Sequence, residues 1–192
     1  AEKHLISQPF AKSTKKYRAI IINDEENICI EINGEDHIKL QTFCSGVDLQ
    51  NLLALAVEID KKIETSIQYS YHSQYGYLTA CPTNVGTGLK ASVLVHLPAL
   101  YLTKSIRKFL NAINNFGMSV TGLYGEGTKV QGDIYQIANN QTLGITENEI
   151  VKNLNVITQK VVEQEKSART YLANKSIKLE DNRLNSNEIF QL

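Results

Sequence analysis

The sequence of 192 residues contains no tryptophan, one methionine, three prolines and three cysteines. An odd number of widely spaced cysteines predicts neither a disulfide framework nor a zinc site, and free thiols are typical of a reducing compartment. No apolar run is long enough to cross a bilayer, and the chain does not open with a signal-peptide pattern. We therefore expect a cytoplasmic protein without a membrane partner.

Excess charge is also absent, because twenty Lys and Arg residues balance twenty Asp and Glu residues. Proteins that bind nucleic acid or anionic membranes usually carry an excess of basic residues or a basic run. Neither feature is present, so we expect no direct nucleic-acid partner. The length of the chain predicts one domain with a sizeable hydrophobic core.

Several short segments have the composition of β-strands. Residues 17–22 and 28–32 predict two antiparallel strands that are joined by a polar turn at 23–27. The further predicted strands cover residues 38–43, 91–97, 118–123 and 133–139. Helical segments recur between these strands, so we predict an α+β fold with a mainly antiparallel sheet flanked by helices.

Helical periodicity is clearest over residues 48–65, where Asp48 is the candidate N-cap and apolar residues recur on one face. A second helix is predicted over residues 103–116, with Gly117 as its C-cap.

A third helix is predicted to begin at a capping box formed by Thr146 and Glu149 and to run to about residue 174. The tail after Lys175 is polar and rich in asparagine, so no stable element is predicted there.

The stretch GYLTACPTNVGTGLK, residues 76–90, concentrates residue types with special chemistry. After a Cys81-Pro82 turn comes a loop whose small residues would let backbone N–H groups approach an anion. Those N–H dipoles and the charge of Lys90 would favour a thiolate at Cys81. The candidate loop residues are Asn84, Gly86, Thr87 and Gly88. From the residues alone, a turn with a small buried cysteine is the alternative interpretation.

A second cluster of ionisable residues follows the strand that ends near residue 32. Its members are Glu35, Asp36, His37 and Lys39. Such a cluster at a strand end suits proton chemistry or ligand contact, and the alternative is a solvated loop.

Three stretches together resemble a known family. CPTNVGTGLK resembles the CPTN(L/V)GTG(L/M)R signature of the phosphagen (guanidino) kinases, and its flanks are similar to those of the bacterial protein-arginine kinases. INGEDHIKL (32–40) is similar to the family's NEEDHxR motif, and residues 122–144 are similar to the segment after its last nucleotide-binding arginine. The resemblance implies an antiparallel α+β catalytic domain over residues 1–180, incomplete at both ends, followed by a polar tail at 181–192.

The resemblance also implies roles for individual residues. Glu35 matches the catalytic glutamate that orients the guanidinium and acts as general base. Glu126 matches a second glutamate on a mobile loop, and Cys81 matches the family's reactive cysteine. The implied cofactors are ATP and Mg²⁺, the metal being held mainly through the nucleotide phosphates rather than by a protein metal site. The implied nucleotide-binding residues are His37, Lys39, Asn84, Gly86, Thr87, Gly88 and Lys90.

The sequence departs from the family pattern on the phosphate side of the implied site. Lys39, Lys90 and Thr121 stand where the motifs have arginine, and Gly34 replaces an acidic residue. A lysine keeps the charge but replaces a bidentate fork by a point donor, while Thr121 removes the charge. These changes predict slower transfer or none.

The implied function is ATP-dependent phosphorylation of arginine residues in proteins. The family then implies cytoplasmic protein quality control, with a transcriptional repressor, an activator protein and a Clp ATPase as partners. Three alternatives stay open: a degenerate copy that acts as a regulatory or binding module, a kinase of small guanidino compounds, and a cysteine hydrolase that uses Cys81 with His96. The oligomeric state is also open.

Overall fold

A computed structural model describes residues 5–6, 8–122 and 132–188 of the chain. All strand pairs in these ranges are antiparallel and form three sheets. The first sheet contains, in spatial order, β1 (Ala19–Ile22), β2 (Ile28–Ile32) and β3 (Ile38–Thr42). The second is the short pair β4 (Tyr71–His72) and β5 (Gly76–Tyr77). The third contains β6 (Ser92–His96), β7 (Met118–Gly122) and, between them, β8 (Ile134–Asn139).

Five α-helices accompany these sheets in the described ranges, and Pro82–Asn84 form a short 3-10 helix. The α-helices are α1 (Gln8–Ala11), α2 (Leu49–Glu64), α3 (Pro98–Leu102), α4 (Ile106–Asn115) and α5 (Glu147–Glu188). The predicted α+β class with antiparallel pairing is therefore confirmed. Among the described helices, none combines the length and apolar character that a bilayer span requires.

Two helix predictions were wrong in their bounds. The helix expected over residues 103–116 is present as α4 but begins only at Ile106, because Lys104 adopts a left-handed φ of 59° that an α-helix cannot continue through. The short helix α3 before it was not predicted. The tail after Lys175 was expected to form no element, but α5 continues to Glu188. No Gly or Pro follows Gly144, so nothing in the sequence breaks the helix that far.

Of the two predicted N-terminal helix caps, the one at α5 is confirmed and the one at α2 differs from the prediction. The Thr146 Oγ1 and Glu149 Oε2 atoms form the predicted capping box at the start of α5, with bonds of 2.7 to 3.3 Å. Asp48 occupies the N-cap position of α2 but makes no side-chain bond to the helix backbone. Its carboxylate instead accepts a hydrogen bond from the Asn51 side chain.

The hairpin of β1 and β2 sets the position of the loop that follows. Asn23 Oδ1 accepts the N–H groups of Asn27 and Ile28, which fixes the turn and its register. The register of β2 and β3 then places Ile32 opposite Ile38. The N–H of Asn33 donates to the carbonyl of His37 at 2.8 Å, so the intervening residues form a tight loop at one end of the sheet.

The hydrophobic core lies between the third sheet and the helices α3, α4 and α5. Its completely buried side chains include Leu97, Ile137, Ile150, Leu154 and Val161. This packing fixes the β6-β8-β7 sheet, and Leu89 and Ala91 in the segment before β6 pack against the same core.

A buried carboxylate joins α5 to the first turn of α3. Glu165, 4% exposed, accepts the backbone N–H groups of Ala99 and Leu100 at 3.0 Å each and a bond from Arg169 Nε at 2.8 Å. Burial raises the pKa of Glu165, but the bonds from Arg169 and from the two N–H groups outweigh burial and lower it below the ordinary value. Glu165 thus satisfies two helix donors that have no partner within α3.

We predict that Glu165→Gln lowers the free energy of unfolding by about 2 to 3 kcal/mol. The reason is that the amide has one acceptor oxygen and no charge, whereas both carboxylate oxygens of Glu165 accept hydrogen bonds. Urea denaturation at pH 7 measures this loss. The stabilisation by the Glu165 carboxylate should be fully present above the ordinary pKa of a glutamate and be lost as pH falls through the lowered pKa. The unfolding free energies of wild type and Glu165→Gln should therefore become equal in acid. Glu163→Gln, an exposed change on the same helix, is the control, and equal midpoints for all three proteins would contradict the prediction.

Candidate functional site

The loop between β2 and β3 is bound to the turn that contains Cys81. Asp36 Oδ1 accepts the backbone N–H of Cys81 at 2.8 Å, and Asp36 Oδ2 accepts a hydrogen bond from Asn84 Nδ2 at 2.7 Å. The two segments are 45 residues apart in sequence. Hydrogen bonds to a carboxylate are stronger than neutral ones, so both oxygens of Asp36 hold the turn.

Two residues that the family resemblance marks as catalytic are brought together by this arrangement. The Cys81 Sγ atom donates to Glu35 Oε1 at 3.2 Å and lies 3.1 Å from Thr83 Oγ1. Glu35 is exposed and Cys81 is partly buried, so an incoming group can reach the carboxylate. The expected neighbour of Cys81 was a cation, whereas in the described ranges its sulfur contacts a carboxylate and a hydroxyl.

The loop after the turn is shaped by close backbone contacts. Gly86 has a φ of 115°, and a Cβ added there would lie 2.2 Å from the Thr142 carbonyl oxygen. Its N–H donates to the Tyr77 carbonyl at 3.1 Å, and the N–H of Thr87 donates to the Thr142 carbonyl at 2.9 Å. We expected these small residues to let N–H groups approach an anion, but these two N–H groups already have partners within the chain.

The two candidate lysines have different surroundings. Lys39 lies opposite Glu31 in the β2–β3 pair, and its Nζ atom is 3.9 Å from Glu31 Oε1. Glu31 is 2% exposed and also accepts a bond from Gln41 Nε2 at 3.3 Å. Lys90, by contrast, is exposed and forms no ion pair with any residue that the structure describes. Lys39 therefore neutralises a buried carboxylate, while Lys90 presents an uncompensated charge.

Other predicted residues lie around this site or outside the described ranges. His37 is exposed at the end of the tight loop, and Gly88 has a φ of 64° with only a side-chain methyl of Thr79 near its Cβ position. Thr121 is on β7 opposite Gln136 of β8. Glu126 lies outside the residues that the structure describes.

The replacement of an acidic residue by Gly34 has a local explanation. A Cβ at Gly34 would lie 3.4 Å from Glu31 Oε2 and 3.4 Å from the Phe10 ring. An acidic side chain would therefore start next to a buried carboxylate, which like-charge repulsion disfavours.

The structure does not support a Cys81–His96 catalytic pair. His96 is on β6 opposite Ile134, and the described hydrogen bonds of the Cys81 sulfur are with Glu35 and Thr83. The described ranges also contain no group of three or more His, Cys, Asp or Glu side chains that could hold a metal ion.

Sequence reasoning included Asp36 in the ionisable cluster after β2 but did not predict that it binds the turn containing Cys81. Its partners are the backbone of one distant residue and the side chain of another, and no spacing rule predicts such a contact. An aspartate beside the candidate glutamate was the only available signal.

The fold is similar to that of guanidino kinases. A duplicated taurocyamine kinase from Schistosoma mansoni, solved with bound components of a transition-state analogue, is 28% identical, with a TM-score of 0.73 over 81% of this chain and 22% of that chain. A lombricine kinase is 27% identical, with a TM-score of 0.69 over 83% of this chain and 44% of that chain.

The chain belongs to the ATP:guanido phosphotransferase family, since the family model for the C-terminal catalytic domain matches residues 1–168. A protein-arginine kinase of Halothermothrix orenii is 48% identical over 171 residues, which are 89% of this chain and 49% of that protein. One from Shouchella clausii is 45% identical over 181 residues, 94% of this chain and 50% of that protein. The chain thus spans about half the length of these relatives.

We predict that Gly86→Ala destabilises the domain by about 3 kcal/mol or more, because the new Cβ would overlap the Thr142 carbonyl as well as strain φ. Gly88→Ala is the matched control, since it shares the left-handed φ but has open space, and should cost about 1 kcal/mol. Thermal and urea unfolding measure both. Equal losses in the two variants would show that the contact with Thr142 is unimportant.

Proposed function

We propose that this chain carries the catalytic part of a protein-arginine kinase, which phosphorylates arginine side chains of proteins with MgATP. The observation that carries the proposal is the contact between Glu35 and Cys81, which Asp36 holds in place. The similarity to protein-arginine kinases over most of the chain supports the choice of a protein substrate over a small guanidino compound.

In this proposal Glu35 acts on the guanidinium directly. An exposed carboxylate can accept two parallel hydrogen bonds from a guanidinium and so fix the orientation of its nitrogens. Glu35 then accepts the proton that the attacking nitrogen must lose. The Cys81 thiol beside Glu35 limits where the carboxylate can turn, since the two are 3.2 Å apart.

Bound MgATP would supply the phosphoryl group, and the fit of this chain to its phosphates is incomplete. Lys90, which pairs with no carboxylate in the described part of the chain, offers a positive charge in the loop before β6, whereas the charge of Lys39 is shared with buried Glu31. Thr121 contributes no charge from β7. We propose that phosphate oxygens hold most of the Mg²⁺ coordination, in keeping with the preference of this ion for phosphates and water.

The cellular setting is part of the same proposal. Cys29, Cys44 and Cys81 are all free thiols, which supports a reducing, cytoplasmic location. Arginine-bearing proteins would be the substrates, and a repressor, an activator protein and a Clp ATPase would be the partners that the family suggests.

A second candidate function is a regulatory or binding module without catalysis. The pairing of Lys39 with Glu31 and the uncharged Thr121 favour it, because phosphoryl transfer requires neutralisation of the phosphate charge.

Formation of phosphoarginine on an unfolded, arginine-containing polypeptide tests the two functions. We predict that the chain with MgATP produces phosphoarginine, detected by ³¹P NMR and by mass spectrometry of the polypeptide. Glu35→Gln should lower the rate by about a hundredfold or more through loss of the general base, while Glu25→Gln on the exposed hairpin turn should leave it unchanged. Transfer that survives in Glu35→Gln contradicts the assigned role, and absence of transfer by the unmodified chain favours the binding module.

A further inference from the structure

A cleft with aromatic walls lies next to the candidate site, between the end of α2 and the β4–β5 pair. Its volume is about 740 Å³. It is lined by residues 64–68 and by Tyr69, Tyr71 and Tyr77. None of these lining residues is Lys or Arg.

The Tyr77 ring packs edge-to-face against the rings of both Tyr69 and Tyr71. The rings of Tyr69 and Tyr77 have centroids 5.9 Å apart and planes at 81°, and those of Tyr71 and Tyr77 are 5.3 Å apart at 73°. The Tyr69 hydroxyl donates to Asp60 Oδ1 at 2.9 Å, which fixes one wall. Tyrosine rings attract cations, since each ring face carries partial negative charge.

Carboxylates add negative charge around these rings. Burial raises the pKa of Tyr77, and the negative charges of Glu64, Asp60 and Glu147 raise it further. Glu64 itself lines the cleft. A cationic group in the cleft would therefore lie among tyrosine rings and next to the Glu64 carboxylate, whereas an anion would be repelled.

The cleft is also connected directly to the loop of the candidate site. The N–H of Tyr77 donates to the Gly86 carbonyl at 2.8 Å, and the N–H of Gly86 donates back to the Tyr77 carbonyl at 3.1 Å. The cleft is therefore adjacent to the loop that follows the Cys81 turn.

We propose that this cleft binds a second arginine side chain of the protein whose arginine is phosphorylated. The identity of that protein as substrate rests on the proposed function, whereas the capacity to bind a guanidinium rests on the cleft alone. A planar guanidinium stacks on aromatic rings and forms forked bonds with carboxylates, which an ammonium does not, so arginine is preferred over lysine. The kinase would then favour substrates in which arginines lie near one another.

The first test measures binding without ATP. We expect N-acetyl-arginine amide to shift the tyrosine ring signals of the chain saturably in NMR titrations. Tyr71→Ala should weaken this binding about threefold to tenfold, as loss of one ring face predicts. Tyr171→Ala is the matched control, because Tyr171 is similarly exposed (58% against 62% for Tyr71) but belongs to α5. Glu64→Gln, which leaves all rings in place, should weaken binding about twofold and reduce its dependence on salt.

Three outcomes of this titration would overturn the inference. One is binding that Tyr71→Ala and Glu64→Gln leave unchanged, and another is equal binding of N-acetyl-citrulline amide, the neutral isostere. Equal binding of N-acetyl-lysine amide would remove the assignment to arginine.

A kinetic experiment then tests the link to the reaction. Peptides with one arginine are compared with peptides that carry a second arginine one to six residues away. Tyr71→Ala should raise KM about threefold to tenfold for the best two-arginine peptide and leave kcat and the single-arginine peptide unchanged. The same KM for wild type and variant on every peptide would overturn the inference, whereas loss of all transfer with intact arginine binding would overturn only the proposed function.

Discussion

The Asp36 carboxylate is the constraint on which the candidate site depends. Glu35 sits on a tight loop at one end of the first sheet, and Cys81 sits on a turn before the third sheet. Strand pairing in the described ranges does not connect these two segments. The hydrogen bonds that Asp36 accepts from Cys81 and Asn84 connect them instead. With one oxygen on a backbone N–H and the other on a side-chain amide, Asp36 fixes the position and the orientation of the turn.

Two of the four departures from the family motif, Gly34 and Lys39, lie next to one buried carboxylate. Glu31 on β2 is almost completely buried, and Lys39 opposite it supplies a compensating charge. Gly34 keeps a further acidic side chain away from the same carboxylate. Burial of a charge is costly unless it is paired, so these three residues are physically linked. Thr121 is on a different sheet, and nothing in the structure explains its replacement of arginine.

The sequence predicted those structural elements that depend on residues close to one another along the chain. The hairpin with Asn23 in its turn and the capping box of α5 follow from short-range spacing and are present. The break between α3 and α4 depends on the backbone angle of Lys104, a residue type that does not signal a left-handed φ. The contact of Gly86 with Thr142 was not predictable either, because the partner is more than fifty residues away in sequence. The family motifs marked Glu35 and Cys81, but the contact that brings them together, through Asp36, joins segments 45 residues apart and has no local signal.

The rate of amide hydrogen exchange at Cys81 tests this role of Asp36 most directly. In the unmodified chain the Cys81 N–H is donated to a carboxylate, so its exchange should be slow, and Asp36→Ala should accelerate it about tenfold to a hundredfold. The amide of Ile137, in the buried centre of the third sheet, reports any change in global stability and should exchange at the same rate in both proteins. Equal exchange at Cys81 with and without the Asp36 carboxylate would contradict the conclusion that Asp36 assembles the site.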